Sequence, residues 1–422
     1  MKWIVPLLAV LLPCWATAAG ISTKELLSEL PQCARSCLGG AISKSECDSD
    51  DTKCVCTNEK VLPLASICVS EGCSVKQALT TQNWTNTYCN GPVRDKASSL
   101  IKLTIILGVF SGTSILLRIG SKIFFLHSDF GLDDLFTILS FCCCVPSIAI
   151  IIHGTAIYGL GRDIWTLEFD DITTFTFFFY LLEVLYFPLI SLLKMSLLFF
   201  YLRIFSVGLA HKLLWGTIIF NALYGIIFVF LAAFQCNPIS YFWTKWDGEH
   251  EGTWYIKLPC IPLSNSNIFS LNINAIGWAN ASISIVLDLW MLAIPLWCLR
   301  SLNLHWKKKI GVAVMFLVGT FMTIVSIIRL QYLVNFGFSE NPTYDETDIS
   351  IWSTVEIHIG IICVSMPALR VLLIRLFPAL GGSSYNTSNY QNYRVQCQNH
   401  ALVEVPSWGG SISRPEHGGI EL

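Results

Sequence analysis

Leu213-Leu-Trp-Gly-Thr-Ile-Ile-Phe-Asn-Ala-Leu-Tyr-Gly-Ile-Ile-Phe-Val-Phe-Leu-Ala-Ala-Phe-Gln235 contains no charged side chain. A helix rises about 1.5 Å per residue, so about 20 such residues cross the hydrocarbon layer of a bilayer. Backbone amides in lipid need internal partners, which makes this stretch a helix. Outward from it, six further apolar runs at 100–119, 133–153, 175–201, 275–298, 310–332 and 351–374 alternate with short polar segments, giving seven predicted spans. Pro188 and Pro295 would kink bundled helices rather than break them. Of the 422 residues, 53% are hydrophobic and 13% charged, against about 25% charged in a typical soluble domain. That excludes an ordinary cytosolic enzyme and a disordered chain. A net charge of −2 argues against nucleic acid as a partner, because phosphates demand a basic surplus. The expected fold is mainly α.

Both flanks differ from this body. Lys2, the apolar run from Trp3 to Trp15 and the small residues Ala16-Thr17-Ala18-Ala19 read as a signal peptide over 1–18. Residues 19–94 are polar and carry Cys33, Cys37, Cys47, Cys54, Cys56, Cys68, Cys73 and Cys89. An even cysteine count in a short exported segment indicates a disulfide framework. Zinc ligation is disfavoured, since Cys54-Val-Cys56 lacks C-x2-C spacing. Asn83-Trp84-Thr85 is an N-glycosylation sequon. Residues 95–375 form the membrane body. The tail, 376–422, is rich in Gly, Ser and Asn, which predicts disorder.

With the cysteine module outside, seven spans leave the C-terminus in the cytosol. Arg118, Lys122, Arg203, Lys212, Arg300, Lys307, Lys308 and Lys309 then fall in cytosolic loops, and Arg370 and Arg375 at the last exit. Glu168, Asp170, Asp171, Glu340, Asp345, Glu346 and Asp348 fall in exterior loops. This obeys the positive-inside rule and implies a multi-pass plasma-membrane protein in contact with lipid. Cys236 and Cys260 in the longest exterior loop are expected to join. Trp243, Trp246, Trp254 and Tyr255 there suit an interfacial belt or a ligand-contacting lid.

Ionisable groups inside spans are costly and face protein or water. Glu183, Lys194, Asp288, Arg329 and Glu356 are such groups. Glu183 and Lys194 lie about three turns apart on one face of the third span, too far to pair. The set reads either as a polar network between helices or, for Lys194, Arg329 and Asp288, as side chains snorkelling to headgroups.

Pro31-Gln32-Cys33-Ala34-x2-Cys37, nine residues to Cys47, Asp51-Thr52-Lys53-Cys54-Val55-Cys56, then Cys68, Cys73 and Cys89 resemble the fungal CFEM domain. The resemblance implies a small helical basket with pairs Cys33–Cys73, Cys37–Cys68, Cys47–Cys54 and Cys56–Cys89. Cys33 and Cys37 share a helix face and could meet an antiparallel helix carrying Cys73 and Cys68. It also implies haem as a cofactor, with Asp51 as axial iron ligand, a hard anionic donor that favours ferric iron. Read without the family, Asp51 caps a helix or faces water.

Gly131-Leu132-Asp133-Asp134, Lys194-Met195-Ser196, Phe200-Tyr201-Leu202-Arg203, Phe234-Gln235-Cys236-Asn237-Pro238, Asp288 to Pro295, Ile328-Arg329-Leu330 and Met366-Pro367-Ala368-Leu369-Arg370 occur in an order that resembles the fungal rhodopsin-like domain of Pth11-type receptors. The resemblance implies a non-classical G-protein-coupled receptor that senses host or surface cues during infection, with cytosolic G-protein subunits as partners. The alternatives are a haem- or iron-acquiring surface protein and a virulence effector acting on host immunity. Retinal is not expected, because 351–374 holds no lysine for a Schiff base. No Ser/His/Asp set, HExxH or phosphate-binding glycine loop suggests an enzyme.

Overall fold

The computed structural model describes residues 30–48, 51–126, 130–205, 208–254, 273–300, 306–337 and 339–376. The expected signal peptide, the tail and Cys260 lie outside the described residues. Two compact units part between Val93 and Arg94.

Among its described residues the first unit has four short helices: α1 (Gln32–Ser43), α2 (Thr52–Thr57), α3 (Val61–Gly72) and α4 (Val75–Tyr88). α4 begins with a capping box, Ser74 accepting from the Gln77 amide while Gln77 accepts from that of Ser74, which satisfies two donors that a helix start leaves open. Among the described residues the core is small: Leu30, Leu38, Ala41, Val55, Val61 and Ala65 form one cluster, and Ala34, Cys37 and Val69 another. So little apolar burial does not offset the chain entropy of so short a module. Disulfides Cys33–Cys73, Cys37–Cys68, Cys47–Cys54 and Cys56–Cys89 close the unit.

The second unit holds seven helices long and apolar enough to cross a membrane. They are α5 (Ala97–Gly120, extended by a π-turn over Ser121–Leu126), α6 (Leu132–Ala149, extended over Ile150–Thr155), α7 (Phe169–Ile204), α8 (Leu209–Ala233), α10 (Ile273–Arg300), α11 (Trp306–Phe336) and α12 (Pro342–Leu376). Between α8 and α10, β1 (Cys236–Asn237) pairs antiparallel with β2 (Thr253–Trp254) around the short α9 (Tyr241–Thr244). α12 packs on both α5 and α11, and α7 on both α6 and α8. Ile115, Cys144, Leu189, Leu193 and Ile361 form the central core, while Val109, Phe110, Leu116, Ile219, Ile226 and Ile227 face outward. Large apolar side chains on the outside are what a lipid solvent requires. The protein is a multi-pass membrane protein.

Two helices begin earlier than hydropathy places them. α7 starts at Phe169 and takes Asp170 and Asp171 into its first turn, and α12 starts at Pro342 and absorbs Asp345, Glu346 and Asp348. Proline suits a first helical position, and carboxylates near a helix N-terminus complement its dipole, so these acidic stretches start helices instead of remaining loops. Pro188 and Pro295 lie within α7 and α10, which continue through them.

At the face where α5 begins (the proximal face), Asp163 accepts from Arg94 at 2.5 Å and from Asn341 Nδ2 at 2.7 Å, and Lys96 pairs with Asp348 at 3.1 Å. Gly161, at φ +89°, donates to the Thr343 carbonyl and accepts from Lys96 N. A Cβ there would stand 2.6 Å from Ala97 N. The starts of α5 and α12 are thus tied to the α6–α7 link.

Candidate functional site: a buried ionic network and the cavity beside it

α7, α10, α11 and α12 each contribute charged or polar groups to one buried chain of contacts. Lys194 Nζ donates to Asp288 Oδ1 and to the Ser284 carbonyl, both at 2.7 Å. Ser326 Oγ lies between two carboxylates, 2.7 Å from Glu356 Oε1 and 3.3 Å from Asp288 Oδ2. Tyr186 Oη donates to Glu356 Oε2 at 2.7 Å, and Arg329 Nε stands 3.3 Å from the same oxygen. The Arg329 guanidinium also lies 4.3 Å from the centre of the Tyr186 ring. Glu356 is 2% exposed and Arg329 5%. Charges in such surroundings persist only when paired, and each of these is, although Arg329 Nε meets Glu356 as an ion pair without a hydrogen bond.

The structure thus joins Lys194, Asp288, Arg329 and Glu356, in the interhelical arrangement rather than the snorkelling one. Glu183 stands apart, accepting from Gln235 Nε2 at 3.0 Å. Sequence reasoning missed Tyr186 and Ser326, because an uncharged hydroxyl in a span carries no signal of its own. Two acidic and two basic members balance the formal charge of the network.

Beside the network is a cavity of about 70 Å³ whose lining includes Lys194, Tyr201, Asp288, Met291, Met322 and Cys363. Gly360 borders it too. A Cβ on Gly360 would stand 2.9 Å from Leu193 Cδ1, so the glycine lets α12 approach α7 closely.

A second ionic cluster, also missed, closes the distal face. Arg118 spans two carboxylates, 2.8 Å from Asp134 Oδ1 and 2.5 Å from Asp133 Oδ2, and donates to the Val364 carbonyl of α12. Lys122 pairs with Asp134. Arg203, more than half exposed, stands 3.9 Å from Asp133. Ser196 donates to the Asp133 carbonyl at 2.8 Å. Sequence placed Arg118 and Lys122 in a loop; both are buried, because the aspartates at the start of α6 supply their counter-charges. The signal was there: basic residues four apart at the end of one span, and two aspartates opening the next.

In the loop after α8, Cys236 is a buried thiol, and Cys260, its expected partner, lies outside the described residues. Burial pushes that thiol up to about 11, and the β1–β2 pairing ties the loop locally. The Trp243 ring packs 5.1 Å from that of Phe177 and 5.6 Å from that of Tyr180, both on α7. The side chains of Trp254 and Tyr255 lie outside the described residues.

In the first unit, Asp51 is the N-cap of α2, its Oδ1 accepting from Cys54 N at 3.0 Å. The carboxylate is exposed, and Oδ2 makes no hydrogen bond to a described residue. One oxygen therefore remains available to an iron centre, so the residue fits the role its motif implies without giving up the cap. Asn83 is exposed on α4, open to a glycan.

The CFEM domain model matches residues 26–90, and the fungal rhodopsin domain model matches residues 117–375. A SAT4 family membrane protein of Emericella nidulans is 31% identical over 198 residues, 46% of this chain and 45% of that protein. Receptor GIN3 of Arthrobotrys oligospora is 22% identical over 232 residues, 55% of this chain and 52% of the receptor. A GPI-anchored hemophore of Arthroderma benhamiae is 34% identical over 76 residues, 18% of this chain and 39% of the hemophore. The chain spans about half the length of the curated relatives its bundle matches. No solved structure matches it. With seven apolar helices behind a disulfide-closed module, the chain belongs to the fungal rhodopsin domain family and is a membrane receptor-like protein carrying a CFEM domain.

Proposed function

We propose that this protein is a plasma-membrane receptor that senses host or surface cues during infection, with its CFEM module outside the cell and its C-terminus in the cytosol. The buried network over α7, α10, α11 and α12 carries this reading. A neutral chain of ion pairs across four helices has alternative pairings within reach, and a ligand that prefers one of them shifts the populations of both. The similarity to Receptor GIN3 supports it. Cytosolic G-protein subunits are the proposed readers of the distal face. The test is nucleotide exchange on a fungal Gα subunit reconstituted with the full-length protein. The wild type should accelerate exchange above empty membranes, and Glu356→Gln should change that rate by severalfold; two rates equal to background reject the reading.

A second reading is favoured by Asp51 and by the hemophore similarity: the module captures ferric haem. Bound haem would supply an iron centre; the chain supplies Asp51 Oδ2 as an anionic donor held by its cap. Ferric haem titrated into the full-length protein should give a Soret band that Asp51→Asn abolishes, since asparagine preserves the cap without the anionic donor. An identical band in the variant removes the assignment.

A further inference from the structure

Tyr201 lines the cavity between α7, α10, α11 and α12, is 6% exposed, and its hydroxyl makes no hydrogen bond to a described residue. A hydroxyl donor with no described protein partner, on a buried side chain that lines an open volume, leaves room there for an acceptor. The charged groups of the lining are already matched: Lys194 by Asp288, and Glu356 by Arg329 beyond the wall. An ion entering would bring an uncompensated charge into a neutral, low-dielectric site. The rest of the wall is hydrocarbon and thioether, including Leu197, Met291, Met322 and Met366, with the single thiol of Cys363. Methionine adapts to irregular apolar shapes.

The geometry points to a binding site for a small neutral molecule with an apolar body and one oxygen acceptor, the acceptor taking the Tyr201 O–H. Such molecules dissolve in the bilayer and can reach a cavity among its helices. This inference deepens the receptor reading by naming the class of its ligand, and it is tested by binding alone, so it can fail while nucleotide exchange succeeds, or the reverse.

The probe is 2-pentanone, a ketone that can only accept, followed by saturation-transfer NMR against full-length protein in nanodiscs with empty nanodiscs as background. The signal should saturate with ketone concentration. Tyr201→Phe, which keeps the ring and deletes the donor, should weaken binding about fivefold, the effect of one neutral hydrogen bond. On the wild type, pentane and pentanoate should each compete at least fivefold more weakly than unlabelled ketone. No saturable signal above empty nanodiscs overturns the site. So does equal binding by Tyr201→Phe, or competition by pentane or pentanoate matching that of the ketone.

Discussion

Glu356 receives Tyr186 on one oxygen, Ser326 on the other, and faces Arg329. Changing it to glutamine preserves size and leaves the buried guanidinium without its counter-charge. Stranding one member of a buried pair costs roughly 3–5 kcal/mol, whereas replacing both by apolar residues is often near neutral. Glu356→Gln should therefore lower the melting temperature strongly, and Glu356→Leu with Arg329→Leu should recover most of the loss, as read by tryptophan fluorescence in detergent. Equal losses would mean the pair is not a coupled unit. At Cys236 burial raises the thiol well above its ordinary value. A maleimide at about pH 8 should leave Cys236 unlabelled in the native protein and label it after denaturation, by peptide mass spectrometry, because the thiolate is the reactive form.

Between elements, α8 approaches α7 closely at Gly225, where an added Cβ would lie 2.3 Å from Ser191 Oγ and 2.7 Å from its Cβ. Asn221 holds the same contact by donating to the Ser191 carbonyl at 3.0 Å. Small residues let membrane helices close in on each other, and packing drives their association because lipid supplies no hydrophobic force between them. Gly225→Val should force the two helices apart and destabilise the bundle by about 1–3 kcal/mol, the usual penalty of overpacking. Ser191→Gly should restore much of the loss in Gly225→Ala. A thermal-shift comparison of the three variants decides it, and no rescue would place the strain elsewhere.

Across the whole molecule, two solvents call for two ways of staying folded. The bundle hides its charges in pairs and shows lipid an apolar surface; the module is closed by four covalent bonds. In the chain-entropy account, a bridge stabilises more the longer the loop it closes. Cys33–Cys73 spans 40 residues and Cys47–Cys54 spans 7, a difference of about 1.5 kcal/mol. Replacing the first pair by serines should lower the module's denaturant midpoint more than replacing the second, and the reverse order would show that native contacts around the short loop dominate.

The sequence by itself determined the class of the fold. Seven predominantly apolar runs long enough to cross lipid leave the backbone only the helix as a way to satisfy its amides. Eight cysteines in a polar segment likewise determined a cross-linked module, since so short a chain cannot bury enough apolar surface alone. Sequence also named Lys194, Asp288, Arg329 and Glu356, because charge inside a span is conspicuous. What it left open was partnership. Glu183 and Lys194 share a helix, yet one meets Gln235 and the other Asp288; Tyr186, Ser326 and Tyr201 gain their roles only from neighbours far along the chain. The acidic starts of α7 and α12 read as loops because hydropathy counts residues, whereas helix ends are set by dipoles, caps and the cations that meet them. Only the tertiary structure decided these, since an ion pair or a cavity depends on distances between helices that no single helix encodes.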